Sequence, residues 1–194
     1  LSYRLMPSET WNMSVFGKYY NAYSEGTVQI SENSVGNDTR VSQSVSSFGY
    51  GAAGTYFLGK DLQFKLSYEK ALRMPSTQEL FGDGDLEAGK ADLKPEKSDN
   101  INLSASYNKQ IGKHGLYLEG GLIYRNTQDY IKRDLSTVGG TSYGSYTNHG
   151  RVETKGYNIS LRYSFSNWFN AGGTFNNLDS RDKEEKRAAS SGQN

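Results

Sequence analysis

The 194-residue sequence has no cysteine. That removes thiol nucleophiles, disulfide staples and cysteine-based zinc or iron–sulfur centres. Two histidines, His114 and His149, leave little for an imidazole metal site. Three prolines are too few for a disordered linker. Net charge is also nearly absent: 22 Lys and Arg face 21 Asp and Glu, leaving +1. This balance argues against nucleic acid as a partner. No four large apolar residues stand in a row, so no helix here can cross a bilayer. Leu, Ile, Val and Phe make only 37 residues, which raises disorder, but disorder also wants a high net charge. The chain begins with no initiator Met and no leader pattern, and is expected to be a piece of something longer.

What is abundant is tyrosine, 15 residues, and glycine, 22. Apolar residues alternate with polar ones at a period of two, the signature of strands with two unlike faces. Leu62, Phe64, Leu66 and Tyr68 alternate with Gln63, Lys65 and Ser67. Ile101, Leu103, Ala105 and Tyr107 alternate with Asn102, Ser104 and Ser106. Tyr157, Ile159, Leu161, Tyr163 and Phe165 alternate with Asn158, Ser160, Arg162 and Ser164. Weaker stripes run through Trp11–Val15, Phe48–Leu58, Leu116–Tyr124 and Phe169–Phe175. Helical spacing fits none of them.

Short turn signals fall at Pro7-Ser8-Glu9, Gly59-Lys60-Asp61, Gln110 to Gly115 and Ser166-Asn167. Between them lie long polar stretches: Glu25 to Ser44, Pro75 to Glu96 and Asp134 to Thr147. Short and long connections therefore alternate. The reading is an all-β chain of about eight long strands in an antiparallel up-and-down array. Asp179 to Arg187 is dense in charge and reads as a solvated loop or short exposed helix.

Alternation alone does not distinguish a core from lipid, and a secreted β-sandwich glycan-binding module has the same stripes. Three features favour lipid. Soluble strands average about 5–6 residues, whereas a tilted membrane strand needs about 9–11, the length read here. Short turns opposite long loops are the asymmetry of outer-membrane barrels. Aromatic residues crowd the stripe ends, where amphipathic rings prefer membrane interfaces.

Ala71-Leu72-Arg73-Met74-Pro75-Ser76-Thr77-Gln78-Glu79-Leu80-Phe81-Gly82 resembles a segment of TonB-dependent outer-membrane receptors. Leu93-Lys94-Pro95-Glu96-Lys97-Ser98 resembles the segment that opens the next strand in that family. Tyr124 to Ile131, Asn148-His149-Gly150 and Lys155-Gly156-Tyr157 resemble later segments, in the same order and with similar gaps. The resemblance spans about Phe48 to Asp179 and implies a barrel of about 22 strands closed around a plug. Residues 1–194 would be a late part of that one barrel domain. The plug, the TonB box and the closing strand with its final aromatic are not in this sequence. The implied work is active uptake of a large scarce nutrient (metal chelate, haem, cobalamin or glycan) across a Gram-negative outer membrane. The implied partners are outer-membrane lipid, an extracellular nutrient ligand, and the TonB complex acting through the plug. A passive porin-like channel is a further alternative.

The motif residues have local structural readings. Pro75 stops a strand because it cannot donate to a ladder. Arg73 stands one step before it at the rim, where a charge can reach water. Gly120-Gly121 and Gly172-Gly173 would allow a bend or the packing of a neighbouring ring. Catalysis has little support: there is no Gly-x-Ser-x-Gly elbow, and both histidines sit at turns or strand starts. Asp83-Gly84-Asp85-Leu86-Glu87 lacks the ligand series of a calcium loop. No cofactor is expected, and the chain reads as no enzyme. The candidate ligand contacts are Asp83 and Asp85 for charge, and Tyr143 and Tyr146 for flat apolar faces with a polar tip.

Overall fold

The computed structural model describes residues 1–31, 34–138 and 140–183. Eight strands follow in order: β1 (Ser2–Ser8), β2 (Trp11–Ser31), β3 (Ser34–Leu58), β4 (Leu62–Arg73), β5 (Glu96–Ile111), β6 (His114–Val138), β7 (Thr141–Phe165) and β8 (Phe169–Asp182). Among the described residues one short helix, α1 (Thr77–Phe81), interrupts them. Each strand pairs antiparallel with the next, in a single sheet of order β1 to β8. Among the described residues there is no second sheet, so the sandwich alternative is not met, and no pairing joins β1 to β8.

The tight turns lie where glycine and polar residues announced them. Gly59 (φ 70°) turns β3 into β4, and Gly112 (φ 59°) turns β5 into β6. Ser166 takes the same left-handed region (φ 51°) between β7 and β8.

The register holds the two faces in phase. One ladder runs Met13–Gly54–Leu66–Leu103–Leu122–Tyr157, partner to partner through β2 to β7. The next runs Trp11–Tyr56–Phe64–Ala105–Gly120–Ile159–Phe175 and reaches β8. Directly opposed residues share a face, so these rungs form one continuous apolar surface. Leu66, Leu103, Leu122, Ile159 and Leu161 are exposed on it. The other face is polar. Lys18 Nζ pairs with Glu69 Oε1 at 2.7 Å, Ser160 bonds Thr174 at 3.1 Å, and the Arg162 guanidinium lies 5.6 Å from the Tyr117 ring centre. The buried residues Leu80, Ala88, Leu93, Ile131 and Tyr143 lie at one end of the sheet, not behind it.

The aromatic edge of the apolar surface does not follow a rung. Trp11 opens β2 at its turn end, yet its ladder arrives at Phe175 on β8, beside the upper aromatic Tyr157. Upper aromatics step down the ladder from Tyr19 and Phe48, through Tyr68 and Tyr124, to Tyr157 and Phe175. A level band can cross the strands this way only if they are tilted, as barrel closure requires.

Two of the three expected long loops are not loops. β2 and β3 remain paired through Glu25–Ser31 and Ser34–Ser44, and β6 and β7 through Asp134–Thr147. The alternation that marks strands fades there because both faces of a ribbon in water can be polar. The backbone ladder continues without it. The third, among the described residues, does leave the sheet, over residues 74–95. Of the expected charged loop, Asp179–Asp182 extend β8, and residues from 184 onward lie outside the described set. The paired glycines split in role. A Cβ on Gly121 would fall 2.3 Å from Asn158 Oδ1, while one on Gly120 would meet nothing within 4 Å.

The wide apolar surface and two sheet edges predict that residues 1–194, expressed alone without detergent, aggregate. Size-exclusion chromatography checks this: a monodisperse soluble monomer with a cooperative melt is the opposing result.

Candidate functional site

Beyond the apolar band stand two ribbons, β2–β3 and β6–β7, with residues 74–95 folded between them. This segment is tied down at both ends and in the middle. Ser76 caps α1: its hydroxyl accepts from the Glu79 N–H, and the Glu79 carboxylate accepts from the Ser76 N–H at 2.7 Å, a reciprocal capping box. Arg73, at the end of β4, donates to both Glu79 oxygens at 3.1 and 3.0 Å and to Glu96 at 2.9–3.0 Å. Arg73 is thus ion-paired at the rim and does not simply reach into water. Glu96 also accepts the Ile131 N–H at 2.9 Å, joining the start of β5 to β6.

Leu80 and Leu93 bury fully and pack with Ile131, flanked by Phe81 and Tyr146. The Phe81 ring fills the space a Cβ on Gly26 would need, 2.6 Å away, which fits the segment against β2. Gln43 of β3 donates to the Leu93 carbonyl at 2.8 Å. On the other side, residues 86–88 add to β7 as a short parallel bridge: Ala88 N–H donates to Gly144 O at 2.7 Å, and Gly144 N–H donates to Leu86 O at 2.8 Å. The Glu87 carboxylate meets the Arg133 guanidinium at 2.6–3.1 Å. Asn148 exchanges two hydrogen bonds with the Lys94 backbone, at 2.8 and 2.9 Å. The segment therefore bridges both ribbons and is a small folded cap.

β6 contains one strained residue. Asp129 has φ 54°, and the ladder skips it: Gln128 pairs with Arg151, and pairing resumes at Tyr130 with His149. Asn148 Nδ2 donates to the Asp129 carbonyl at 2.9 Å and fixes this turn of the backbone. Asp tolerates the left-handed region better than most residues do.

Electrostatics favour charged carboxylates here. Arg133 hydrogen bonding holds the Glu87 carboxyl below the usual range, with help from Tyr146 and against the effect of burial. Burial raises Glu79, but the Arg73 and Ser76 bonds outweigh it and leave it lowered. The N–H groups of Asp85, Glu87 and Leu86 hold Asp83 low.

The family model described as TonB dependent receptor-like, beta-barrel matches residues 2–194. The chain belongs to that family. No curated protein sequence matches it significantly. Among solved structures, this TonB-dependent receptor barrel segment is similar to one titled "Copper transporter OprC", with a TM-score of 0.71 and 15% identity over 92% of this chain. It is also similar to a double mutant of the Serratia marcescens hemophore receptor HasR in complex with its hemophore HasA and heme, with a TM-score of 0.65 and 14% identity over 89% of this chain. It spans 28% and 31% of those two chains, under a third of each.

In this receptor barrel the motif residues gather at the cap. Arg73, Ser76, Glu79, Leu80, Leu93, Glu96, Ile131 and Asn148 all lie in its clamp. The candidate contacts fare differently. Asp83 is exposed, but its Oδ1 accepts three backbone N–H groups, from Asp85, Leu86 and Glu87, and shapes the tip. Asp85 is exposed beside it. Tyr143 is buried against Ala88, and Tyr146 is half-buried near Glu87. Arg133 is not singled out in the sequence, and Glu87 only as the last residue of the Asp83–Glu87 stretch. A Glu and an Arg 46 residues apart carry no pairing signal until the cap folds. Among the described residues no group of three or more His, Asp or Glu could hold a metal ion.

Three outcomes follow. Glu96→Ala, which removes the acceptor for both Arg73 and Ile131, destabilises the cap by about 1–3 kcal/mol; faster amide exchange over residues 76–94 is the readout. Asp129→Val costs about 1–2 kcal/mol because a β-branched residue resists positive φ, while Asp129→Gly does not; chemical denaturation of the refolded receptor compares them. The third concerns pH. Glu87 has a lowered pKa in the folded cap, so its pairing is complete above the ordinary carboxylate pKa of about 4.3 and is lost as pH falls through the lowered value. Proteolysis of the cap should therefore accelerate on acidification before barrel strands respond, and Glu87→Gln should remove that step.

Proposed function

We propose that this chain is wall and extracellular cap of an outer-membrane receptor that takes up a large scarce nutrient, energised by TonB through a plug. The observation that carries the reading is the unbroken apolar surface across seven paired strands, backed by a polar face and crowned at one end by a tethered cap. Strands in lipid must satisfy every backbone donor and acceptor within the sheet, because no water is available. The apolar band therefore faces lipid and the polar face lines the lumen. The two similar structures, a copper transporter and a hemophore receptor bound to heme, support metal or haem cargo as the class to test first. Of the four earlier candidates, Asp83 and Asp85 are exposed at the tip and are joined there by exposed Leu86 as the ligand-facing part of the cap, while Tyr143 is buried and Tyr146 half-buried beneath it.

Cysteine scanning of the full-length receptor in cells tests the wall. Leu103 and Leu161 should resist a water-soluble thiol reagent, and Asn102 and Ser160 should react once the plug is removed. Equal labelling of both sets would remove the barrel reading. Growth on copper chelates or haem as the sole metal source tests the cargo: deletion of residues 83–86 should impair it, while shortening the Gln110 to Gly115 turn by one residue should not.

A further inference from the structure

We infer that the apolar surface over β5 to β8 holds a phosphorylated lipid, its acyl chain in a notch at Gly120 and its headgroup against a basic cluster on β7 and β8. This rests on the membrane reading above and adds a specific occupant to it. Two independent features carry it.

The first is the cluster. On β7, Lys155 stands one alternate position above the band residue Tyr157, and its ladder partners are Tyr124 and Asp179. The Lys155 ammonium lies 5.7 Å from the Tyr124 ring centre, a cation seated on the aromatic edge of the band. Arg151, Arg181 and Lys183 are its near neighbours along β7 and beside β8: Arg181 opposes Glu153, and the Lys183 N–H donates to Arg151 O at 2.9 Å. Four cations surround two carboxylates, Glu153 and Asp179. Glu153 is already shared between Lys155 at 2.5 Å and Lys183 at 2.6 Å, and Asp179 is held by Arg181 at 2.7 Å. The cationic ends remain open, with Lys155, Arg181 and Lys183 side chains 65%, 61% and 40% exposed. The β2–β3 sector has Tyr19 and Phe48 at its upper edge instead.

The second is the notch. Ala105 and Gly120 are direct ladder partners and leave a dip in the band. Phe64, Leu103, Leu122 and Ile159 wall it. A Cβ on Gly120 would touch nothing within 4 Å, so the dip is open to the lipid side and fits an alkyl chain. Ile159 lies beside Gly120, and Lys155 follows four residues up the same strand. At about 3.4 Å per residue that is roughly 14 Å, a span that joins an upper acyl chain to its headgroup. A surplus of positive charge at the edge of a lipid-facing band selects a negatively charged headgroup. The continuity of notch and cluster commits the site to a lipid, not to free phosphate.

The test uses the full-length receptor in nanodiscs of phosphatidylcholine doped with phosphatidic acid, whose headgroup is the phosphate itself. Retained lipid is counted by native mass spectrometry. Phosphatidic acid should be retained over phosphatidylcholine. The triple variant K155Q/R181Q/K183Q should lose that preference by about fivefold or more. G120L, which fills the notch without changing charge, should also lower retention, and its unchanged gel mobility before heating certifies the fold. K60Q/K113Q, at the opposite turns, should behave as the parent. Retention within about twofold in the triple variant, or in G120L, overturns the inference, as does displacement of phosphatidic acid by inorganic phosphate alone. Failure of the receptor to enter even pure phosphatidylcholine discs would instead overturn the membrane reading.

Discussion

Everything in this chain depends on strand register. The side-chain period of a strand is two, so a slip by one residue would carry every apolar side chain to the opposite face. Here the ladders keep Leu66, Leu103 and Leu122 in line, and Lys65, Ser104 and Gly121 in line behind them. Few large aliphatic residues are needed, because the sheet has no core to fill. One face needs only to be apolar enough for lipid, and the other only wet enough for a lumen. That explains how a chain so poor in Leu, Ile and Val can hold eight ordered strands.

The cap solves a different problem. Residues 74–95 leave the ladder, and their backbone groups need other partners. The partners are carboxylates and amides: Glu79 for Ser76, Asp83 for three successive N–H groups, Gln43 for Leu93 and Asn148 for Lys94, while Glu96 and Asn148 also hold the backbone of Ile131 and Asp129 in β6. A small apolar centre of Leu80, Leu93 and Ile131 then fixes the segment to the ribbon. The motif residues that mark the family are largely this scaffolding, and the tip beside them, residues 83–86, is exposed.

The wall was readable from the sequence because one apolar and one polar face impose a two-letter pattern. Leu62–Tyr68 and Tyr157–Phe165 announce their faces, and the turns at Gly59 and Gly112 announce their ends. The ribbons were not readable as strands. Thr27, Arg40 and Asp134 are exposed beyond the apolar band, where water reaches the ribbons and no pattern is demanded of them; Ser145 is polar as well, but buried. The cap was legible only in part. Ser76 with Glu79 is a local capping signal four residues long, whereas Glu87 with Arg133 is a contact made by the fold and written in neither neighbourhood.

The slant of the ladder also has a mechanical side. The path from Trp11 to Phe175 crosses six interstrand steps, about 29 Å at 4.8 Å each. At the tilt of about 35–45° usual for such walls, it climbs roughly 17–20 Å, most of the way through the hydrocarbon layer. The wall is threaded like a screw. A load applied along the membrane normal therefore resolves partly along the strands, where many hydrogen bonds share it in shear, and partly along the rungs. It never falls on one strand pair alone, as it would in an upright sheet pulled apart sideways. A wall of this pitch spreads such a load over all its strands.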